Sequence, residues 1–307
     1  MKSTTVRGMA LSIAVGTALT GVAACNSSSG GSGKAADDKA VHRGTTHVSP
    51  IAALRSAEHS TDQADSAEVE STTSIGSVMS MTGDGSLAWG DGVTGALTIT
   101  YTGGTTAETM RKLGSDTMQA RYLPDAYYAK MGDVFAQQAG GKHWVRYGYD
   151  DLEALAGSSG AYLKDQMQNT TPNQSVKLLL ASGDVQKVGT ATVRGQDTTH
   201  YSGTVDVADL AGKNSDLSAA QLKALKEQLT QAGVSTEQID IWVNGDDLLV
   251  KKTERAEMTA GLMTQTAYYS HYGVKVSVQK PPAGDTVDFT KLVNQGDASS
   301  GSGTSAS

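Results

Sequence analysis

Short segments in which apolar and polar residues alternate follow one another along this chain, and this pattern limits the folds open to it. In one such segment Leu97, Ile99 and Tyr101 alternate with threonines. Turn dipeptides such as Asp91-Gly92 separate consecutive segments, which is typical of β-hairpins. Parallel strands need long crossover connections, and few crossover helices are predicted. The sequence therefore predicts an α+β fold, with helices covering one face of an antiparallel sheet.

The predicted strands are residues 69–75 with a continuation at 78–81, then 87–89, 96–101, 116–123, 126–131, 142–149, 185–194, 198–207, 239–243, 248–258, 263–272 and 274–278. The predicted helices are residues 50–64, 150–155, 161–168, 171–182 and 218–232. Capping boxes at Thr171/Gln174 and Ser218/Gln221 mark the starts of the last two, and a glycine ends each. The candidate residues for lining a cavity or packing a core are Leu97, Ile99, Tyr101, Val176, Leu179, Leu180, Leu222, Leu225, Leu229, Ile241 and Val243.

The N-terminal region has the order of a secretory signal peptide. Lys2 and Arg7 precede an apolar stretch of about a dozen residues, which is shorter than the roughly 20 that a membrane-spanning helix needs. Cys25, the single cysteine of the chain, follows Val-Ala-Ala and resembles the lipobox cysteine of bacterial lipoproteins. The resemblance implies a signal peptide at residues 1–24 and diacylglycerol on the Cys25 sulfur. The protein is then expected on the outer face of the cytoplasmic membrane, held by its lipid anchor.

Composition divides the remaining chain into three parts. Residues 25–47 are rich in Ser, Gly and Ala and are predicted to form a flexible tether, and residues 296–307 are predicted to form a disordered tail. Residues 48–295 are predicted to be a single domain, which is long enough to build a core without disulfides. Removing residues 1–24 changes the net charge from -7 to -9, because two of 25 basic residues and none of 32 acids are lost. This excess of acid argues against nucleic-acid binding, and we expect a monomer.

Catalytic and metal-binding motifs do not stand out. Nucleophile elbows, phosphate-binding loops and zinc-protease motifs do not occur, so no cofactor, no metal and no enzymatic activity are predicted. Asp197 and His200 form the one pairing that suggests catalysis, although a strand histidine that is hydrogen-bonded to a neighbour explains it far better. The acidic pair Asp246-Asp247 follows Asn244-Gly245 and indicates a hairpin turn better than a calcium site.

Three segments resemble actinobacterial surface lipoproteins: residues 174–189, residues 198–207 and the tetrapeptide Ile-Trp-Val-Asn at 241–244. These lipoproteins are the LppX/LprG group, which is more distantly similar to the LolA and LolB carriers, and the resemblance covers most of residues 48–292. It implies a strongly curved antiparallel half-barrel with helices on its concave side. In mycobacterial members of the group that space binds acyl chains of lipids or glycolipids.

Two functions remain open from the sequence. The first is a membrane-anchored carrier that binds acyl chains of a lipid, glycolipid or other amphiphile in an apolar cavity. The second is an envelope interaction or sensing module that binds a protein partner and transports no ligand, since a fold does not dictate a function. The same apolar residues serve either function, because they can line a cavity or pack helix against sheet.

Overall fold

The computed structural model describes residues 49–152, 164, 167, 171–208, 223, 226, 227 and 229–293. Its helices are α1 (Pro50–Gln63), α2 (Gly104–Lys112), α3 (Asp133–Gln138) and α4 (Asn173–Ser182). Its strands are β1 (Ser66–Ile75), β2 (Met79–Ala88), β3 (Thr94–Gly103), β4 (Thr117–Leu123), β5 (Ala126–Lys130), β6 (Trp144–Gly148), β7 (Gln186–Val193), β8 (Gln196–Asp206), β9 (Thr236–Asn244), β10 (Leu249–Met258), β11 (Gly261–Ser270) and β12 (Thr286–Asp288).

These twelve strands form one sheet in the order β12-β6-β5-β4-β3-β2-β1-β11-β10-β9-β8-β7. Neighbouring strands pair antiparallel, except that β12 pairs parallel with β6. The pairing of β1 with β11 joins an N-terminal meander, β1 to β6, to a C-terminal meander, β7 to β11. The predicted α+β class, a curved antiparallel half-barrel with helices, is thereby confirmed.

Strand register defines the two faces of the sheet, because successive side chains of a strand point to opposite faces. We call the face that packs against α1, α2 and α4 the inner face; Ile99, Ile241 and Met263 lie on it. We call the opposite face the outer face, and it carries residues such as Trp242 and Tyr268. The candidate residues from the sequence that belong to described strands all lie on the inner face.

Helices α1 and α4 cover the inner face over β8 to β10. The Ser49 hydroxyl caps α1 by accepting from the Ala52 amide at 3.2 Å, and Pro50 occupies the first helical position. The buried Asn173 side chain joins the two helices by donating to the Glu58 carbonyl at 2.9 Å. Both helices bury apolar side chains against the strands, among them Leu54 from α1. The predicted helix at residues 50–64 is confirmed.

The predicted strand at residues 274–278 is wrong. This segment, which we call the strap (residues 274–280), crosses the outer face from β1 towards β5. The Ser66 hydroxyl donates to the Val274 carbonyl at 2.7 Å, and the Arg121 guanidinium donates to the Gln279 carbonyl at 2.8 Å. Val278 packs on Trp144 and other outer-face residues of β4 to β6. The valines alternate because one side of the strap is buried, although its backbone crosses the strands and does not pair with one.

Two predictions about local structure near turns are also wrong. Residues 78–81 do not extend β1, because Gly76 adopts a φ of 45° and the chain reverses, so that Met79 pairs with Ile75. The Thr171/Gln174 capping box does not form. Helix α4 begins at Asn173 without a side-chain cap, while its predicted end at Gly183 is confirmed by a φ of 73°.

The sequence analysis missed α2 and α3. The Gly103-Gly104 pair is typical of a turn, and the two threonines after it have low helix propensity. Helix α2 forms because its first turn docks on the β1–β2 turn, where the Thr106 amide donates to the Val78 carbonyl at 3.0 Å. Helix α3 has only six residues and is too short to show a helical period.

Several predictions lie outside the described residues. These are the signal peptide, Cys25, the tether, the tail, Leu222 and Leu225, together with most of the predicted helices at 150–155, 161–168 and 218–232. Residues 229–231 are helical, and Leu229 is fully buried in the core. The single-domain boundaries of 48–295 stay a prediction.

Candidate ligand-binding face

Helix α4 and strands β8 to β10 form a filled part of the inner face. Val176 and Leu179 of α4 are fully buried, as are Ile239 and Ile241 of β9. Leu180 and Val243 belong to the same apolar cluster. Side chains without accessible surface do not border a cavity that admits water. The residues that the sequence proposed on α4 and β9 therefore act as packed core.

The inner face is less covered over β1 to β3. Leu97, which the sequence proposed together with Ile99 and Tyr101, is only half-buried, and so are Ser71 and Met81. The register places Gly83 and Gly85 of β2 beside them, with Ala120 and Ala129 continuing the row on β4 and β5. We call Gly83, Gly85, Ala120 and Ala129 the small-residue strip. Gly83 and Gly85 are half-buried, whereas Ala120 and Ala129 are fully buried, so the accessible part of the strip is its β2 end beside Leu97.

Gly85 shows that the strip depends on its glycines. The Gly85 backbone has a φ of 154°, and a Cβ atom added there would lie 2.1 Å from the Ala96 carbonyl oxygen. The neighbouring strand therefore excludes any larger residue at this position.

Methionines collect on one side of the small-residue strip. The chain has ten, of which Met1 and Met9 precede the described region. The other eight all lie in the apolar core cluster or pack against it: Met79, Met81, Met110, Met118, Met131, Met167, Met258 and Met263. We call the part of the inner face around Met79, Met118 and Met263 the methionine end. Thioether side chains are flexible and adapt to irregular shapes, but Met79, Met118 and Met263 are buried in the core, so half-buried Met81 is the methionine beside the strip that an occupant could contact.

Tyrosines collect on the other side of the strip. Tyr122, Tyr127 and Tyr147 lie in one row across β4 to β6, with ring centroids 5.1 and 5.8 Å apart, and Phe289 stacks on Tyr147 at 4.9 Å. We call this row, with Tyr149, the tyrosine end. Burial raises the pKa of Tyr122, Tyr127 and Tyr147, and the neighbouring phenols add to the shift at Tyr122 and Tyr127. These phenols are therefore uncharged at neutral pH.

The polarity of the inner face was not predicted from the sequence. The sequence showed that Tyr is frequent and Phe scarce, at eleven against two, which suits a cavity wall. The register is needed to see that Met118 and Tyr122 lie on the same face of β4 and that each belongs to a different end. The signal in the sequence that could have indicated the two ends was the position of the methionines within the predicted strands.

A buried charged group joins α4 to β10. The Lys252 ammonium lies 3.2 Å from Glu254 Oε1 and donates to the Ser175 hydroxyl at 2.7 Å, while that hydroxyl donates to Glu254. Burial opposes the charge of Lys252, but the Glu254 carboxylate outweighs it and raises the Lys252 pKa. A protonated lysine cannot accept a proton from Ser175, and Ser175 is fully buried. This arrangement holds helix to sheet and does not form a nucleophile with its base.

The sequence favoured a strand histidine hydrogen-bonded to a neighbour, and this is confirmed, while a pair of Asp197 with His200 does not form. His200 Nε2 lies 2.8 Å from Asp240 Oδ1 on the adjacent strand, and Asp197 instead accepts from the Thr192 hydroxyl at 3.2 Å. The imidazole stacks on Trp242 with a centroid distance of 4.2 Å and an interplanar angle of 5°. The neighbour was missed because Asp240 is 40 residues away in sequence and only strand pairing brings it close.

A surface cavity of about 620 Å³ lies where the β7–β8 hairpin meets the β9–β10 turn. Most of its lining residues are polar, among them Thr190, Thr192, Asp197 and Asn244, and Val243 also lines it. Asn244 Oδ1 accepts from the Asp246 and Leu248 amides, which confirms the predicted turn. This cavity is not the apolar space that an acyl chain needs.

Within the described residues, His, Cys, Asp and Glu form no group of three that could hold a metal ion. No helix in the described ranges has the length and hydropathy to span a membrane.

Comparisons with known proteins place the chain among actinobacterial proteins. It is 57% identical to the "Uncharacterized 31.2 kDa protein in rplA-rplJ intergenic region" of Streptomyces griseus over 83% of this chain and 84% of that protein. It is 49% identical to the "Putative lipoprotein SCO4650" of Streptomyces coelicolor over 95% of this chain and 98% of that protein. No protein-family model matches the chain.

Among solved structures, the chain is similar to the Mycobacterium tuberculosis lipoprotein LppX, with a TM-score of 0.46 and 15% identity over 75% of this chain and 98% of that chain. The resemblance to bacterial lipoproteins stated from the sequence agrees with the printed name of the Streptomyces coelicolor relative. Because two relatives of about half identity or more match most of its length, the chain belongs to the same family as these two streptomycete proteins.

Proposed function

We propose that this protein is an extracytoplasmic lipoprotein, anchored through Cys25, that binds acyl chains of a lipid or other amphiphile against the inner face of its half-barrel. The observation that carries the proposal is the small-residue strip with half-buried Leu97 and Met81 beside it. An acyl chain is apolar and flexible, and it needs a shallow apolar groove with adaptable walls. Gly83, Gly85 and Leu97 supply the accessible groove, and half-buried Met81 supplies an adaptable side chain at its wall.

The apolar rim at the methionine end supports this function. Leu262 and Val78 are large apolar residues with 48% and 39% of their surface exposed. Val78 lies in the β1–β2 turn, and Leu262 lies at the start of β11, beside the β10–β11 turn, with its side chain on the outer face; the Gly76 amide donates to the Leu262 carbonyl at 2.9 Å. An exposed apolar rim at these turns gives an acyl chain a place to enter from a membrane.

A protein-binding module is the second candidate, and a different observation favours it. Strand β7 is an edge strand, and Val188 on it is 58% exposed. Edge strands present unpaired backbone groups to which a partner strand can add. The packed inner face beneath α4 is also compatible with this function, since no ligand space is needed there.

Native mass spectrometry of the full-length protein, extracted from its own membrane, tests the two candidates. The carrier function predicts adducts with the masses of acyl lipids, besides the covalent anchor, that survive removal of bulk detergent. A protein that carries only its anchor, and is recovered with a second polypeptide bound, would replace the carrier proposal with the interaction module. A protein recovered with neither would contradict the carrier proposal as well.

A further inference from the structure

Tyr149 carries a buried hydroxyl group that lacks a partner. Its side chain is only 3% exposed and belongs to the apolar cluster of the inner face. No hydrogen-bond partner lies within reach of the Tyr149 hydroxyl in the described part of the chain. A phenol in this position loses its bonds to water and gains none in exchange, which costs free energy. A ligand oxygen placed beside the hydroxyl would restore the missing hydrogen bond.

The charges around Tyr149 indicate what kind of oxygen fits. Burial, and then the negative charge of Asp125, raises the pKa of Tyr149 to about 12, so its hydroxyl keeps the proton that it would donate. The nearby cations Arg146 and Lys280 lie 3.9 and 2.9 Å from Asp125 and are paired with it. A ligand carboxylate would place a buried anion near the negative charge of Asp125, whereas an uncharged oxygen avoids that cost.

The position of Tyr149 on the inner face determines how a bound ligand would be oriented. Tyr149 and Tyr147 stand at the tyrosine end, and the small-residue strip separates this end from the methionine end. An amphiphile has one oxygen-bearing end and one hydrocarbon end. The Tyr149 hydroxyl, unpartnered among the described residues, lies at one end of the inner face and most of the thioethers lie at the other, where Tyr101 is opposite Met81, so the oxygen-bearing end of the amphiphile is matched at the tyrosine end.

We propose that Tyr149 is a specificity-determining residue, whose hydroxyl donates a hydrogen bond to an uncharged ester or alcohol oxygen of the amphiphile. The hydrocarbon part then lies over the small-residue strip and points to the methionine end. This inference rests on the proposed acyl-binding function and adds the chemical class of the group next to the chain. It selects uncharged oxygenated amphiphiles over free fatty acids and over plain hydrocarbons.

The test compares three competitors of equal chain length for their displacement of a fluorescent acyl probe: a monoacylglycerol, the free fatty acid and the alkane. The full chain with Cys25→Ser, which carries no anchor lipid, is the reference protein. We expect it to prefer the monoacylglycerol over the alkane by about fivefold to tenfold, the ratio that one net hydrogen bond supplies. The free fatty acid at neutral pH is expected to compete less well than the monoacylglycerol.

Tyr149→Phe in that reference protein removes the hydroxyl and keeps the ring. We expect the preference to disappear, so that the monoacylglycerol and the alkane compete about equally. The affinity for the alkane and the melting temperature without ligand should stay unchanged or rise. A structural hydrogen bond at Tyr149 would instead lower the melting temperature. Tyr268→Phe, the same change on the outer face, is the matched control and should keep the preference. Tyr149→Met serves as the second variant if the first does not fold.

The outcomes separate the two proposals. If the reference protein binds the probe but the monoacylglycerol and alkane compete equally, the inference about Tyr149 is wrong and acyl binding stands. If the preference survives in Tyr149→Phe, the inference is also wrong. If the reference protein takes up no acyl probe at all, the proposed function fails, and the inference falls with it.

Discussion

Leu97 and Leu179 both point into the half-barrel, but Leu179 is fully buried against Gly203 while Leu97 is half-buried beside Gly85. The inner face is thus divided. Helix α4 fills the space over the C-terminal meander, and the space over the N-terminal meander is shallower. Any ligand that this face binds must lie near Leu97 and not near Leu179.

This difference predicts opposite results for the same substitution. Leu97→Trp should occupy the groove, reduce uptake of a fluorescent acyl probe by tenfold or more, and cost less than about 1 kcal/mol of unfolding free energy. Leu179→Trp should overpack the core and cost about 1–3 kcal/mol. Thermal melting and probe uptake measure the two effects. Full uptake by a stable Leu97→Trp protein would show that acyl chains do not bind there.

Cys25→Ser is expected to release the protein from membranes. The sequence predicts that the acyl groups on Cys25 form the anchor, and stable anchoring takes two acyl chains because a single chain holds only marginally. Fractionation after a high-salt wash, with detection of the protein in membrane and soluble fractions, measures this. Ser27→Ala, two residues away, is the control and should stay in the membrane. A Cys25→Ser protein that remains membrane-bound would contradict the anchor.

Lys252→Ala should destabilise the protein by about 3–5 kcal/mol, because it leaves the Glu254 carboxylate buried without its cation. The double variant Lys252→Met with Glu254→Leu should recover most of that loss, since it removes both charges. Chemical denaturation of both proteins gives the free energies. Lys251→Ala, on the outer face, is the control and should cost about 1 kcal/mol or less. Equal losses for the single and double variants would contradict this account.

Stability should fall in alkaline solution. The folded-state pKa values of Tyr122, Tyr127 and Tyr147 are raised by burial, so the stability that their neutral forms contribute is complete below the unfolded value near 10. As pH rises above that value, the unfolded state loses protons that the folded state keeps, and each tyrosine costs about 1.4 kcal/mol per pH unit. Lys252 acts in the same direction.

Denaturation at several pH values between 8 and 11, with phenolate absorbance recorded in parallel, measures this effect. Tyr127→Phe removes one titrating group and should make the fall with pH shallower. Constant stability across that range, or a phenolate absorbance of the folded protein that decreases in Tyr127→Phe, would contradict the burial of these phenols.

Much of the sheet could be predicted because its strands are hairpins whose signals are local. The two-residue period and turns such as Asn244-Gly245 identify most strands, and the connections then follow in chain order. The strap was misread as a strand because Val274 and Val276 alternate with polar residues there as they would in a strand. Alternation reports that one side of an extended segment is buried, and it does not report whether the backbone is paired.

The candidate site could be predicted only in part. The sequence identified Ile99, Tyr101 and Ile241 as inner-face residues, but it could not divide them between packed core and groove. That division depends on which helix covers which strands, and it depends on the register that aligns Gly85 with Leu97. The pairing of His200 with Asp240 was missed for the same reason, since strand register is a long-range property.

The stacking of Phe289 on Tyr147 has a consequence for how the protein is made. Synthesis runs from the N-terminus, so β6 leaves the ribosome 142 residues before β12, its parallel neighbour. Until the last twenty or so residues emerge, Tyr147 has no aromatic partner beyond its own meander. We therefore expect the tyrosine end to be the last part of the inner face to close, when the rest of the sheet is already assembled.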